Sequence, residues 1–176
     1  MRTREVLLLA AVVTVVTVWL AGMAGSADGG GAARDDARST SSAGAPASPG
    51  ARALAILHRW DGRRSRAWAA GDPVALSRLY VPGSATGARD ADDLRRWTRR
   101  GLRVAGLHQQ VAAFRVTDHH RHRLVVVVTD RTVDGIAVGA GRRRAIPSSA
   151  WATHRISLRR TTSGWRVVEV RLQPAR

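Results

Sequence analysis

A polar pair interrupts the apolar face of the first helix that the sequence predicts. Asp61 and Arg64 are three residues apart, close to one helical turn, and they lie between Leu57 and Trp68. An arginine that faces a core needs a carboxylate to offset its lost hydration. Asp61 is the nearest candidate partner, and Asp130, in a predicted strand, is the next. Two interpretations stay open: a structural ion pair at the rim of the core, or a polar patch in the wall of a pocket.

Histidines in the predicted strands are the next candidates for chemistry. His108, Gln110 and His154 all lie in strand segments. Because strand side chains alternate between two faces, either histidine could point into a pocket. The alternative is that both are packing or surface residues.

The run Asp118-His119-His120-Arg121-His122 is rich in groups that can bind metals, since neutral imidazole binds zinc or copper. It lies at a turn between two strands, where polar residues are expected in any case. The sequence offers no convincing further ligand elsewhere. We therefore predict neither a metal site nor a cofactor.

Motifs for nucleophilic catalysis or phosphate cradling are missing from the sequence. There is no cysteine, no G-x-S-x-G and no glycine loop followed by lysine. We name no catalytic residue, and the sequence leans away from an enzyme. The aromatic residues could line a ligand cavity or fill the core of a small domain without disulfides. With the polar residues above, the candidate pocket residues are Trp60, Asp61, Arg64, Trp68, Tyr80, Trp97, His108, Gln110, Asp130 and His154.

Capping signals define the helices that carry these residues. Ser48 and Pro49 start the first helix, which runs to about residue 70, where Gly71 supplies a left-handed stop. Asp72 caps a short second helix. A third helix begins at or near Asp90 and ends at residue 101.

The remainder of the chain is predicted to be β-rich. A bent strand with a kink at Gly106 is followed by a strand whose LVVVV run is buried on both faces, and by a final hairpin. Residues 135–149 form the least ordered loop, with a short strand at 136–138. The predicted long strands are 102–117, 123–132, 151–161 and 165–172. Helices first and antiparallel strands afterwards indicate an α+β domain.

Residues 60–84, WDGRRSRAWAAGDPVALSRLYVPGS, combine an aromatic amphipathic helix, a tight junction and a second short helix. This run resembles the opening helices of the nuclear transport factor 2-like superfamily, which includes SnoaL-like cyclases and steroid isomerases. The resemblance covers residues 53–172. It implies a cone-shaped domain of about three helices packed on a curved antiparallel sheet, with a pocket between the first helix and the sheet.

The resemblance implies a fold more firmly than a reaction. Steroid isomerases of this superfamily use an aspartate base that faces oxyanion donors, and SnoaL-like cyclases depend on a pocket carboxylate and a histidine. In this sequence the one tyrosine, Tyr80, is assigned to the core by the helix pattern. Asp130 is the one isolated acid in an apolar strand. These departures put catalysis in doubt.

The N-terminal part of the chain predicts that the folded domain is located outside the cytoplasm. Residues 6–24 carry no charge and follow Arg2 and Arg4, which is typical of a membrane-spanning anchor with a cytoplasmic N-terminus. A cleaved signal peptide, and hence a secreted protein, is the alternative. We divide the chain into an anchor or signal peptide (1–27), a disordered linker rich in small residues (28–52) and a nuclear transport factor 2-like domain (53–173).

Charge narrows the choice of partners. All 29 basic residues are arginine, and the net charge is +16. The charge reflects either an arginine-rich genomic composition or attraction to anionic lipid or envelope polymers. Nucleic acid is not expected at this address. Three hypotheses result: a membrane-tethered accessory domain with a protein partner in an envelope assembly, a SnoaL-like ligand binder or enzyme, and a binder of anionic lipid or polymer.

Overall fold

A computed structural model describes residues 48–174 of the chain. The predictions for the anchor and for linker residues 28–47 lie outside the described residues. Within 48–174, no helix combines the length and apolar character needed to cross a membrane. The first helix begins at Pro49, four residues before the predicted start of the domain at residue 53.

Capping residues set the bounds of the first two helices, as the sequence predicted. Helix α1 spans Pro49–Ala70, with Ser48 as the N-cap and Gly71 in the left-handed conformation at its end. Helix α2 spans Pro73–Ser77, and the Asp72 carboxylate accepts hydrogen bonds from two of its backbone N–H groups.

The third helix begins earlier than predicted. Helix α3 spans Ala85–Arg99, and the Ser84 side chain accepts a hydrogen bond from the backbone N–H of Gly87. The prediction that this helix begins at or near Asp90 was therefore wrong. Asp90 lies inside α3 and is buried, so its carboxylate is available for a contact in the core instead of a cap.

Two antiparallel sheets follow the helices. One contains four strands in the order β2-β3-β6-β7, and the other contains three in the order β1-β4-β5. Their bounds are β1 Arg103–Ala105, β2 His108–His119, β3 Arg123–Val133, β4 Ile136–Gly139, β5 Arg142–Ala145, β6 Ala152–Thr161 and β7 Gly164–Gln173. The described part of the chain is thus an α+β fold.

The sheet assignments correct two predictions. The single bent strand predicted for 102–117 is two strands, β1 and β2, which belong to different sheets. The chain breaks at Gly106, whose φ of 67° is available to glycine at little cost. The loop predicted for 135–149 contains β4, which confirms the short strand predicted at 136–138, and also β5, which was not predicted and pairs with β4 through three arginines and an alanine.

The core lies between the helices and the inner face of the four-stranded sheet. Its largest fully buried side chains come from the three helices and from β3 and β6. The indole N–H of Trp60 donates to the backbone carbonyl of Leu79 at 2.8 Å, which joins α1 to the chain after α2. The apolar side chains that fill the core include Leu57, Trp60, Leu76, Leu94, Leu124, Val126, Val128, Ile156, Leu158 and Val167.

Two helix-interior glycines should respond oppositely to alanine. A Cβ at Gly87 would lie 2.5 Å from Tyr80 Cγ, whereas a Cβ at Gly62 would meet its nearest atom, on Arg66, at an ordinary 3.5 Å. We expect Gly62→Ala to stabilise the fold by up to about 1 kcal/mol through helix propensity. We expect Gly87→Ala to destabilise it by about 1–3 kcal/mol through overpacking. Thermal unfolding checks both, and a gain for Gly87→Ala would contradict the packing of α3 on Tyr80.

Candidate functional site

A carboxylate at the centre of the helical layer accepts four hydrogen bonds. Arg64 donates from Nε to Asp90 Oδ2 at 2.6 Å and from Nη2 to Oδ1 at 2.5 Å. Trp68 Nε1 donates to Oδ1 at 3.2 Å, and the Tyr80 hydroxyl donates to Oδ2 at 2.6 Å. We call Arg64, Trp68, Tyr80 and Asp90 the Asp90 cluster.

Burial strengthens the electrostatics of this cluster. Arg64 and Asp90 are each 2% exposed. Burial lowers the pKa of the Arg64 guanidinium more than any single neighbour raises it, but the charge and hydrogen bond of Asp90 together with the other neighbouring groups raise that pKa overall. Burial, and then the charge of Asp90, raises the pKa of the Tyr80 hydroxyl well above its ordinary value. The guanidinium therefore stays charged and the phenol stays a neutral donor.

The ion pair of Arg64 is with Asp90, which the sequence did not predict as its partner. Asp130, the second predicted partner, pairs with His154 instead. Asp61 is also buried, and its charge adds a smaller upward effect on the pKa of Arg64. Asp90 was not predicted as a site residue because its surroundings in the sequence indicated the start of a helix, whereas it lies inside α3. The turn at Ser84, which can cap α3 itself, is the signal that could have revealed it.

Aromatic rings enclose the cluster. The Trp60 and Tyr80 rings meet edge to face at 5.5 Å, and those of Trp68 and Trp97 do so at 6.4 Å. The Arg64 guanidinium lies 5.7 Å from the centre of the Trp68 ring. An ionised carboxylate offers about four lone-pair sites, so the four donors saturate Asp90. This arrangement braces the helices and leaves Asp90 without a free site for a substrate proton.

A second buried pair lies on the inner face of the sheet. His154 Nδ1 on β6 is 3.0 Å from Asp130 Oδ1 on β3. Both residues are buried, and Asp130 Oδ2 has no hydrogen-bond partner within residues 48–174. Burial raises the pKa of Asp130, and the hydrogen bond and charge of His154 oppose that rise. A carboxyl group beside an imidazole in this environment can hold or pass a proton.

Neighbouring residues extend this polar end of the sheet. The buried Gln109 donates from Nε2 to Thr132 Oγ1 at 2.8 Å, and the sequence analysis had not singled out either residue. Gln110 is exposed and accepts a hydrogen bond from Arg131, so it does not share this inner face. His108 is the first residue of β2 and is opposite Val133 in register.

The histidine-rich turn forms local contacts. Asp118 pairs with His120 Nε2 at 3.0 Å and with Arg123 Nε at 3.2 Å. Within residues 48–174, no three histidine, aspartate or glutamate side chains converge as they would around a metal ion.

Comparisons with known proteins identify the fold. No family model and no curated protein matches the chain. The intermembrane space region of chloroplast protein ARC6 is similar, with a TM-score of 0.50 and 14% identity over 74% of this chain and 100% of that chain. At this identity the similarity shows a shared fold and nothing more.

Two bacterial structures are also similar. One is an NTF2-like protein with a cystatin-like fold from Novosphingobium aromaticivorans, with a TM-score of 0.42 and 19% identity over 69% of this chain and 80% of that chain. The other is Aln2 from a Streptomyces species, with a TM-score of 0.48 and 13% identity over 72% and 92% of the two chains.

Removing the guanidinium of the Asp90 cluster should cost far more than removing its neighbour. Arg64→Ala leaves the Asp90 carboxylate buried without a counter-charge, which costs about 3–5 kcal/mol. Arg63 is only partly buried and forms no ion pair within residues 48–174, so Arg63→Ala should cost about 1 kcal/mol or less. Thermal melts compare the two variants. Equal midpoints would show that the Arg64–Asp90 pair does not hold the helices together.

The strand pair predicts a pH-dependent difference. A carboxyl group whose pKa is raised in the folded protein destabilises the fold as pH climbs from the ordinary pKa of 3.8 through the pKa of the folded state. Asp130→Asn removes this penalty, so we expect the variant to gain on the native protein as pH rises and to keep that gain at neutral pH. Melting midpoints measured at a series of pH values check this. If the difference in melting midpoint between the two proteins does not change with pH, the charge of Asp130 does not destabilise the fold.

Proposed function

We propose that this chain is a nuclear transport factor 2-like accessory domain that binds a protein partner in an envelope assembly and catalyses no reaction. Residues 6–24 hold it at the outer face of the cytoplasmic membrane, with the N-terminus inside. The saturation of the buried Asp90 carboxylate supports this proposal, because all four of its acceptor sites are taken by Arg64, Trp68 and Tyr80.

The address and the surface charge support the same function. The uncharged run at 6–24 follows two arginines, as in an anchor with a cytoplasmic N-terminus. The intermembrane space region of ARC6 shares the fold, so a region outside a membrane is one known setting for it. A net charge of +16 favours a partner with an acidic surface.

The test recovers the full chain at native expression from mild detergent after crosslinking. We expect a partner in fixed stoichiometry, with crosslinks that map to residues 48–174. Arg64→Ala should lose the partner because it weakens the fold, while the exposed Arg99→Ala should retain it. Recovery of the chain alone, or crosslinks confined to residues 1–47, would contradict the proposal.

A small-ligand binder or SnoaL-like enzyme is the second candidate function. The Asp130–His154 pair favours it, since one buried carboxylate oxygen has no hydrogen-bond partner in the described part of the chain. A ligand that raises the melting midpoint of the native protein, but not that of Asp130→Asn, would support this candidate. Equal stabilisation of both proteins would exclude the pair from ligand binding.

A further inference from the structure

A groove of about 460 Å³ lies between the outer face of α1 and the turn that joins β6 to β7. We call it the α1 groove. It is on the opposite side of α1 from the Asp90 cluster, and neither the cluster nor the strand pair contributes to its walls. Its volume is within the range of small-molecule sites. The residues used below are Ile56, Arg59, Gly62, Arg63, Arg66 and Trp165.

Positive charge is concentrated on one side of this groove. Arg59, Arg63 and Arg66 are spaced i, i+4 and i+7, so α1 presents all three guanidinium groups on one face. Within residues 48–174, none of the three forms an ion pair with a carboxylate. Like charges at this spacing repel one another. An anion bound among them would relieve the repulsion.

One of these arginines is already held in place. Arg63 Nη2 donates to the backbone carbonyl of Trp165 at 3.5 Å, and its Nε is buried with no hydrogen-bond partner in the described chain. A buried N–H without a partner is costly. A ligand oxygen within reach of this atom would remove that cost.

Apart from the three arginines and His58, the lining is apolar or lacks a side chain. Ile56 and Trp165 offer an apolar surface beside the arginines, and Gly62 leaves room on the α1 side because it has no side chain. Gly164 closes the turn with a φ of 106°, which a residue with a side chain rarely adopts. The groove therefore combines a cationic side with an apolar side.

We propose that the α1 groove binds a small phosphate monoester whose phosphate is attached to a compact apolar or aromatic group. A phosphate monoester carries close to two negative charges and three acceptor oxygens, which several guanidinium groups can share. The apolar group packs against Ile56 and Trp165. This site does not depend on the proposed accessory function, and either can fail without the other.

The decisive variant is Gly62→Leu, which fills the groove and changes no charge. Leucine is favoured over glycine inside a helix, so the melting midpoint should stay the same or rise. We expect the full chain in phosphatidylcholine nanodiscs to bind 1-naphthyl phosphate at least about tenfold more tightly than inorganic phosphate or 1-naphthol. Gly62→Leu should weaken 1-naphthyl phosphate binding by about tenfold or more. Isothermal titration calorimetry, with empty nanodiscs subtracted, measures both.

Charge controls separate a site from general attraction. The double variant Arg59→Gln/Arg66→Gln should lose binding, while Arg99→Gln/Arg100→Gln, which removes the same charge from exposed positions on and just after α3, should not. Equal binding by the native protein and Gly62→Leu would overturn the proposal and leave non-specific electrostatics. Binding seen only when phosphatidic acid is added to the nanodiscs would also overturn it, in favour of a lipid surface.

Discussion

The pairing of a buried guanidinium with a buried carboxylate is the constraint on which the helical layer depends. Arg64 comes from α1 and Asp90 from α3, while Tyr80 lies on the segment between α2 and α3. Each charge loses hydration that only the other charge and its hydrogen bonds can replace. The cluster is therefore favourable only when these segments are all docked. An ion pair of this kind specifies one arrangement of the helices more than it adds to net stability.

The inner face of the four-stranded sheet changes character along β3. Leu124, Val126 and Val128 pack in the apolar core, whereas Asp130 and Thr132, two and four residues further along the same face, make polar contacts. Because these residues share one face, one end of that face is apolar and packs in the core, while the other end is polar. The neighbouring strand β6 runs antiparallel to β3 and has the same spatial arrangement, with Ile156 in the core and His154 in the polar pair.

Much of this fold follows from local signals, but the central contact does not. Ser48 and Gly71 delimit α1 through their own capping chemistry, so the sequence located that helix correctly. The partner of Arg64 is 26 residues away on another helix, and only the packing of α1 against α3 brings it there. Strand β5 was missed for a related reason, because its exposed arginines carry no alternation that would mark a strand.

The Asp90 carboxylate in the helical layer is saturated with hydrogen bonds, whereas other buried groups still have unused hydrogen-bonding capacity. All acceptor sites of Asp90 are used by hydrogen bonds within the fold, so recognition of a ligand must use other atoms. Among the buried side-chain atoms of the described residues, Asp130 Oδ2 on the sheet and Arg63 Nε on the outside of α1 meet this condition. The first is an acceptor beside an imidazole, and the second is a donor among arginines. An anion can accept a hydrogen bond from Arg63 Nε but is repelled by the ionised form of Asp130, so one ligand does not suit both places.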